Sequence, residues 1–351
     1  MPRDGSGAAA VHGLALRIDP HYSVSMSHVG VSRGRAVRLS LALVAVALLL
    51  ALSAGGASAR LDPEDALTYI PNGYIHNTHE ASEVDEILAA LDSHGIDQAI
   101  LPMPKLKRDG TMKVPRKEAR MIPLWVSRVA AYDAAHTSNL SMVAVFDGRI
   151  KKNGLNLEDA TVRANVVASI ESMIGQGVGG VQLDFEPYPT SPGFVTLLEE
   201  IDAAFARLGF HGGLSVCAPA TVGRWSPTYI AQVTSHLTQV DPLFYDSELT
   251  SAAAYEKWVR EGLSFYSANT APTARIVPVI PSYGTNRWHN PTVESIATAT
   301  SALSEALQAG TRVNGTGIFW WWGFYYEEEG AYNPAADQAA WPGTLALPFT
   351  P

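Results

Sequence analysis

Eight short apolar, β-branched runs recur along this chain, each followed by a segment patterned as a helix, and that alternation constrains the fold more than any other feature. The runs cover 66–75, 98–102, 140–146, 180–185, 213–218, 242–245, 275–280 and 317–322. Between them, apolar residues fall at helical spacing. Val84, Ile87, Leu88 and Leu91 form one stripe, Val162, Val166, Val167, Ile170 and Ile174 a second, and Phe194, Leu197, Leu198, Ile201, Phe205 and Leu208 a third. The segments 124–135, 227–237, 253–263 and 292–309 complete the set with weaker patterns. Near-continuous apolar strands are buried on both faces, and alternation with helices makes them parallel. Eight such units in fewer than 300 residues predict a single closed (β/α)8 TIM barrel in the α/β class. A doubly wound open sheet is the competing architecture, but the Gly-rich phosphate loop that usually follows its first strand is missing.

The barrel is expected to span 60–351. Before it, Arg33, Arg35 and Arg38 precede an uncharged apolar run from Leu39 to Leu52, then small residues ending Ala57-Ser58-Ala59. That order reads as a secretory signal peptide over 1–59, cleaved after Ala59, with an extra N-terminal extension and an alternative start at Met26. The protein is therefore expected to be secreted or held at the cell surface. The apolar run is short of the roughly 20 residues that span a bilayer, and membrane attachment arises only if this segment is retained as an anchor. Residues 1–60 hold six Arg and two Asp, a net +4, so against −9 for the whole chain the remainder carries −13. Such a balance argues against nucleic acid or anionic lipid as a partner, and a neutral polymer fits better. The lone cysteine, Cys217, excludes an intrachain disulfide and a cysteine-based metal site.

In a barrel of this kind the site lies at the C-terminal ends of the strands. Carboxylates and aromatic rings gather at those ends: Tyr74 and His76 after the first run, Asp147 after the third, Asp184 and Glu186 at the fourth, Tyr245, Asp246 and Glu248 at the sixth, Tyr283 and Trp288 after the seventh, and Trp320–Trp322 in the eighth. Carboxylates ringed by aromatic faces suit a sugar, whose C–H faces stack on rings while its hydroxyls bond to acids. Gln182, Asp184 and Glu186 alternate, so all three point to one side of their strand. Two carboxyls so close cannot both ionise easily, and the one that keeps its proton can serve as a general acid for glycosidic cleavage. The bland reading is that the pair caps the next helix, with Pro187 starting the turn. His76 and His79 lie three apart, but with no matching third ligand they sit better in a polar loop than on a metal.

Three stretches resemble the family 18 glycoside hydrolases, the chitinase family. Gly179-Gly-Val-Gln-Leu-Asp-Phe-Glu186 is similar to that family's strand 4 motif Asp-Gly-x-Asp-x-Asp-x-Glu, with Gly179 and Gln182 in place of its first and middle Asp. Leu243-Phe-Tyr-Asp246 resembles its strand 6 Met-x-Tyr-Asp, and Gly317-Ile-Phe-Trp-Trp321 its strand 8 segment. The family's strand 3 Ser-x-Gly-Gly is absent, which makes this an atypical, distant resemblance. It implies a chitinase-like glycosidase that cleaves β-linked N-acetylglucosamine-containing glycan. Glu186 would be the acid, Asp184 would orient the substrate's own acetamido group as nucleophile, and Tyr245 would bond that group. Gln182, Asp246, Trp321 (or Trp320), Tyr74, Asp147 and Tyr283 would line the sugar site. Neither a cofactor nor a metal is implied. A two-carboxylate retaining glycosidase and a non-catalytic sugar-binding barrel are the alternatives. The strand 7 segment offers no carboxylate for the first of these, leaving only Glu248 nearby.

Overall fold

A computed structural model describes residues 66–136, 138–151, 153–325, 332 and 334–350. The leader read at 1–59, with its start at Met26 and its cleavage point at Ala59, lies outside the described residues. Among the described residues no helix is long and apolar enough to cross a membrane.

The eight expected strands are all present: β1 (Ala66–Tyr69), β2 (Gln98–Pro102), β3 (Ser141–Arg149), β4 (Gly180–Glu186), β5 (Gly213–Pro219), β6 (Gln239–Leu243), β7 in two pieces (Arg275–Ile276 and Val279–Pro281) and β8 (Thr316–Phe319). Every pairing is parallel, and contacts of β1 with β8 and of β5 with β6 close the sheet into a barrel. The break in β7 falls at Val277-Pro278, where proline lacks the N–H a ladder needs. The helices are α1 (Gly73–His76), α2 (Ala81–Ser93), α3 (Glu118–His136), α4 (Ala160–Ile174), α5 (Pro192–Leu208), α6 (Pro227–Thr234), α7 (Ala252–Asn269), α8 (Ile296–Gln308), α9 (Trp321–Tyr325) and α10 (Ala335–Leu345). Local chemistry sets many of their ends. Asp159, Ser226, Ser251 and Ser295 accept from backbone N–H groups in the first turns of α4, α6, α7 and α8, which would otherwise be orphaned. Gly209, at φ 62°, ends α5 in the left-handed region that costs glycine nothing.

Strand alternation sorts the core into two layers. Outward residues, among them Val181, Leu183 and Phe185 of β4, join the large cluster between sheet and helices. Inward residues form a smaller set within the barrel, built on Leu67, Tyr69, Ile100, Val143, Val145, Cys217, Leu243, Val277 and Val279. The inner face of β4 carries Gln182, Asp184 and Glu186 in sequence toward the strand end. Asp184 lies opposite Asp147 and Glu186 opposite Arg149 in the β3–β4 register.

Candidate active site

The inner face of the barrel holds two tiers of polar groups. In the lower tier Gln182 is fully buried, and its Nε2 donates to Asp241 Oδ2 at 2.8 Å. Gln239, two residues before Asp241 on β6, donates from Nε2 to Oδ1, also at 2.8 Å. Both amides thus present N–H groups to one buried carboxyl. Burial nevertheless dominates and raises the Asp241 pKa to about 7, against the lowering effect of the Gln239, Gln182 and Ser215 bonds. Gln182, expected in the sugar site, is thus buried within the barrel with its Nε2 on Asp241, and it is not among the residues lining the cleft described below. Asp241 itself carries no sequence motif.

The upper tier is centred on Asp184. Burial, followed by the charges of Glu186 and Asp147, raises its carboxyl to about 7, with Cys217 and Lys105 opposing. Its Oδ1 is buried without a hydrogen-bond partner among the described residues. Beside it, Cys217 Sγ lies 3.3 Å from the Tyr69 hydroxyl, and burial pushes both groups well above their ordinary values. A thiol and a phenol that both keep their protons at neutral pH leave the carboxyls as the chemistry-bearing groups of this tier.

Above Asp184 the barrel opens into a cleft of about 800 Å³. Glu186 lies on its wall, exposed, together with Asp147, Tyr188, Tyr245 and Asp246. Asp147 Oδ2 pairs with Lys105 Nζ at 2.5 Å. Tyr245 stacks on Phe319 with ring centroids 4.5 Å apart, and burial and the Asp184 charge hold its hydroxyl protonated far above neutrality. Tyr283 donates to Asp246 Oδ1 at 2.7 Å. Behind Tyr283, the buried His289 ring stacks on it at 3.9 Å, and His289 Nδ1 meets Glu294 Oε2 at 3.0 Å. Glu294 Oε1 in turn accepts from the backbone N–H and hydroxyl of Ser247, so this pair ties Tyr283 to the loop after β6.

The structure brings together Glu186, Asp184, Asp147, Tyr245 and Asp246, with Tyr283 supporting Asp246. It does not bring Tyr74 or Trp321 there. β1 stops at Tyr69, and Tyr74 sits in α1, stacked on His79 at 4.6 Å, while its carbonyl accepts from Trp125 Nε1. His76, beside it, places Nδ1 2.7 Å from Glu118 Oε1. Trp321 is fully buried in the outer cluster, tilted against Phe324 at 5.6 Å, because β8 ends at Phe319 and the chain coils into α9. The ring that closes the barrel interior on β8 is Phe319, with Trp320 packed partly exposed beside it at 6.1 Å. Trp321→Ala should therefore cost about 3–5 kcal/mol of unfolding free energy, as other large core truncations do. Trp320→Ala, at a partly exposed position, should leave urea-unfolding stability within about 1 kcal/mol. Equal destabilisation by both would refute the two placements.

At Gly179, where the resemblance has its first Asp, a Cβ would lie 2.5 Å from Ser141 Oγ, so a larger residue there requires the Ser141 hydroxyl to turn away. Glu248, the candidate second carboxylate, is exposed at φ 57° on the loop after β6 and is not among the residues lining the cleft.

No sequence-family model matches the chain, and no curated protein matches it in sequence. Solved structures do match in fold. The Group IV chitinase of Ostrinia furnacalis aligns over 81% of this chain and 100% of its own, with a TM-score of 0.57 and 12% identity. The catalytic domain of a family GH18 chitinase from the fern Peteris ryukyuensis aligns over 82% and 100%, at 0.56 and 17%. A family 18 N-acetylglucosaminidase from Paenibacillus barengoltzii aligns over 79% and 99%, at 0.51 and 11%. The chain thus has a (β/α)8 barrel fold similar to that of these GH18 structures.

Proposed function

We propose that this protein is a secreted glycosidase that cleaves glycans containing β-linked N-acetylglucosamine, using the substrate's acetamido oxygen as nucleophile. The observation that carries the reading is the pair on β4: an exposed Glu186 on the cleft wall, with a largely buried Asp184 two residues before it. Glu186 is free to reach a glycosidic oxygen and give it a proton, which a sugar leaving group requires. Asp184, raised to about 7, can accept a hydrogen bond from an acetamido N–H as the carboxylate, and so turn the carbonyl oxygen of that group toward the anomeric carbon. Tyr245 keeps its proton and offers an O–H to the same group. Attack by the acetamido oxygen breaks the anomeric C–O bond as Glu186 protonates the departing oxygen. Water, deprotonated by the Glu186 carboxylate, then opens the cyclic intermediate and restores the acid.

The thiazoline derivative of N-acetylglucosamine imitates that cyclic intermediate and tests the reading. It should inhibit hydrolysis of aryl chitooligosaccharides competitively, and Asp184→Asn should weaken its binding by about 10²-fold, the loss of a charge-assisted hydrogen bond in a closed site. The same substitution should weaken chitotriose less, by about tenfold at most, because its acetamido N–H donates to the Asp184 carboxylate as a neutral group while a protonated thiazoline ring donates as a cation. Wild-type protein that neither turns over the aryl substrates nor binds the thiazoline would refute the assignment. A protein that binds chitotriose without either property would fit a sugar-binding barrel.

A further inference from the structure

The charge of the whole chain and the charge of the cleft have opposite signs. Beyond residue 60 there are 19 Lys and Arg, being 25 in the chain less six before that point, and the net charge there is −13. Six of those cations line this single cleft: Lys105, Lys107, Arg108, Arg149, Lys151 and Arg224. They face three carboxylates, of which Asp147 is taken by Lys105 and Asp246 accepts from Tyr283. The other five cations make no ion pair among the described residues and are exposed. Concentrated cations in an otherwise acidic molecule focus potential where a ligand enters.

These side chains stand on ordered backbone. Leu106 bridges Met112 across a turn in which Lys107 N bonds Thr111 O at 2.9 Å and Gly110 N bonds Lys107 O at 2.9 Å. Asn165 Nδ2 and Ser169 Oγ, on α4, bond the carbonyls of Asp109 and Gly110 at 2.8 and 3.2 Å. A Cβ on Gly110 would meet Val162 O at 2.3 Å, so the turn is seated directly on the helix. On the next loop, Gly154 N bonds Lys151 O at 2.7 Å and Leu155 N bonds Arg149 O at 2.8 Å. Arg224, from the loop after β5, lies over the Tyr188 ring at 5.8 Å on the cleft wall. Three strand-end segments with hydrogen-bonded backbone therefore carry cations around the cleft that Glu186 also lines.

We infer that the cleft selects an anionic glycan, one in which acidic sugars bearing carboxylate or sulfate alternate with N-acetylamino sugars, and that Lys107, Arg108 and Lys151 bind its acidic groups. This rests on the glycosidase reading for the position of the scissile bond, but the recognition itself is a matter of binding. Neutral chitin would leave five rim cations without counter-charge. A nucleic acid would carry a phosphate on every unit into a molecule whose net charge beyond residue 60 is −13.

The test uses the full protein carrying Glu186→Gln, so that binding is read without turnover. Chitohexaose, a hyaluronan hexasaccharide (carboxylates), a chondroitin sulfate hexasaccharide (sulfates) and single-stranded oligodeoxythymidylate are compared by calorimetry. At low ionic strength, at least one acidic hexasaccharide should bind about tenfold or more tighter than chitohexaose, and the preference should shrink as salt screens it. Which of the two binds tighter distinguishes carboxylate from sulfate. Adding Lys107→Ala, Arg108→Ala and Lys151→Ala together should weaken the acidic ligand about tenfold while moving chitohexaose by less than about twofold. A charge-matched triple elsewhere, Lys113→Ala, Lys117→Ala and Arg120→Ala, should spare both ligands. Equal affinity for neutral and acidic hexasaccharides, equal loss from the two triples, or tighter binding of oligodeoxythymidylate than of either glycan would each overturn the inference. If wild-type protein cleaves chitohexaose and rejects the acidic ligands, the glycosidase reading stands and the anionic substrate falls. If the acidic ligand binds as expected but is never cleaved, the reverse holds.

Discussion

Glu186→Gln should reduce hydrolysis of unactivated oligosaccharides by about 10²–10⁴-fold, the range that removal of a positioned general acid produces. Glutamine keeps the shape of the side chain and loses only the transferable proton. Because Glu186 is exposed on the cleft wall, the change should leave unfolding stability and sugar affinity almost untouched. The loss should also depend on the leaving group. A sugar alkoxide departs poorly without protonation, whereas a dinitrophenolate departs readily without it, so the same variant should lose about tenfold or less on a dinitrophenyl glycoside in the bond-breaking step. Single-turnover rates on the two substrates measure this directly. A loss of the same size on both would place Glu186 in positioning and not in proton transfer, and no loss on either would remove it from the reaction.

The barrel was legible in the sequence because its signals are local and repeated. β2 occupies the 98–102 run that the pattern marks, and β3, β4 and β5 differ from theirs by one to three residues. The errors arise where a run of apolar letters outlasts the strand. The run at 66–75 continues past Tyr69 into α1, and the run at 317–322 continues past Phe319 into α9, so Tyr74 and Trp321 were placed on strands that had already ended. Periodicity cannot separate an apolar strand end from an apolar turn of helix. Asp241 was hidden by the opposite error. Alternation puts Gln239, Asp241 and Leu243 on one inner face, but a strand drawn as starting at Pro242 leaves the acid outside it. The basic cleft had no such local signal. Its six cations come from the end of β3 and the loops after β2, β3 and β5, and the net charge of the chain averages them away.

The two internal carboxyls set an expected pH dependence of stability. Asp184 and Asp241 each titrate near 7 in the fold, burial being the chief cause for both, against a usual carboxyl value of 3.8. Below pH ~4 both are protonated in the folded and the unfolded chain, and they contribute no difference. From there to pH ~7 the unfolded chain has released those protons while the folded chain still holds them, so their contribution to stability falls as pH rises and is fully lost above the folded value. The loss can reach about 4 kcal/mol per carboxyl at 1.36 kcal/mol for each tenfold change. Groups lowered in the fold, such as Glu158 and Asp109, push the opposite way at more acid pH, so the whole-protein curve is not the test. The difference between wild type and single variants is. Asp184→Asn should unfold in urea with a pH 5 to pH 8 change smaller than that of wild type by a few kcal/mol, because the amide has no proton to keep. Asp241→Asn should show the same flattening on a lower baseline, since asparagine offers one carbonyl oxygen where Gln182 and Gln239 each donate to a separate carboxyl oxygen. A wild-type pH dependence retained unchanged in both variants would mean that neither carboxyl holds its proton in the fold, and the assignment of Asp184 as a group poised near neutrality would fail with it.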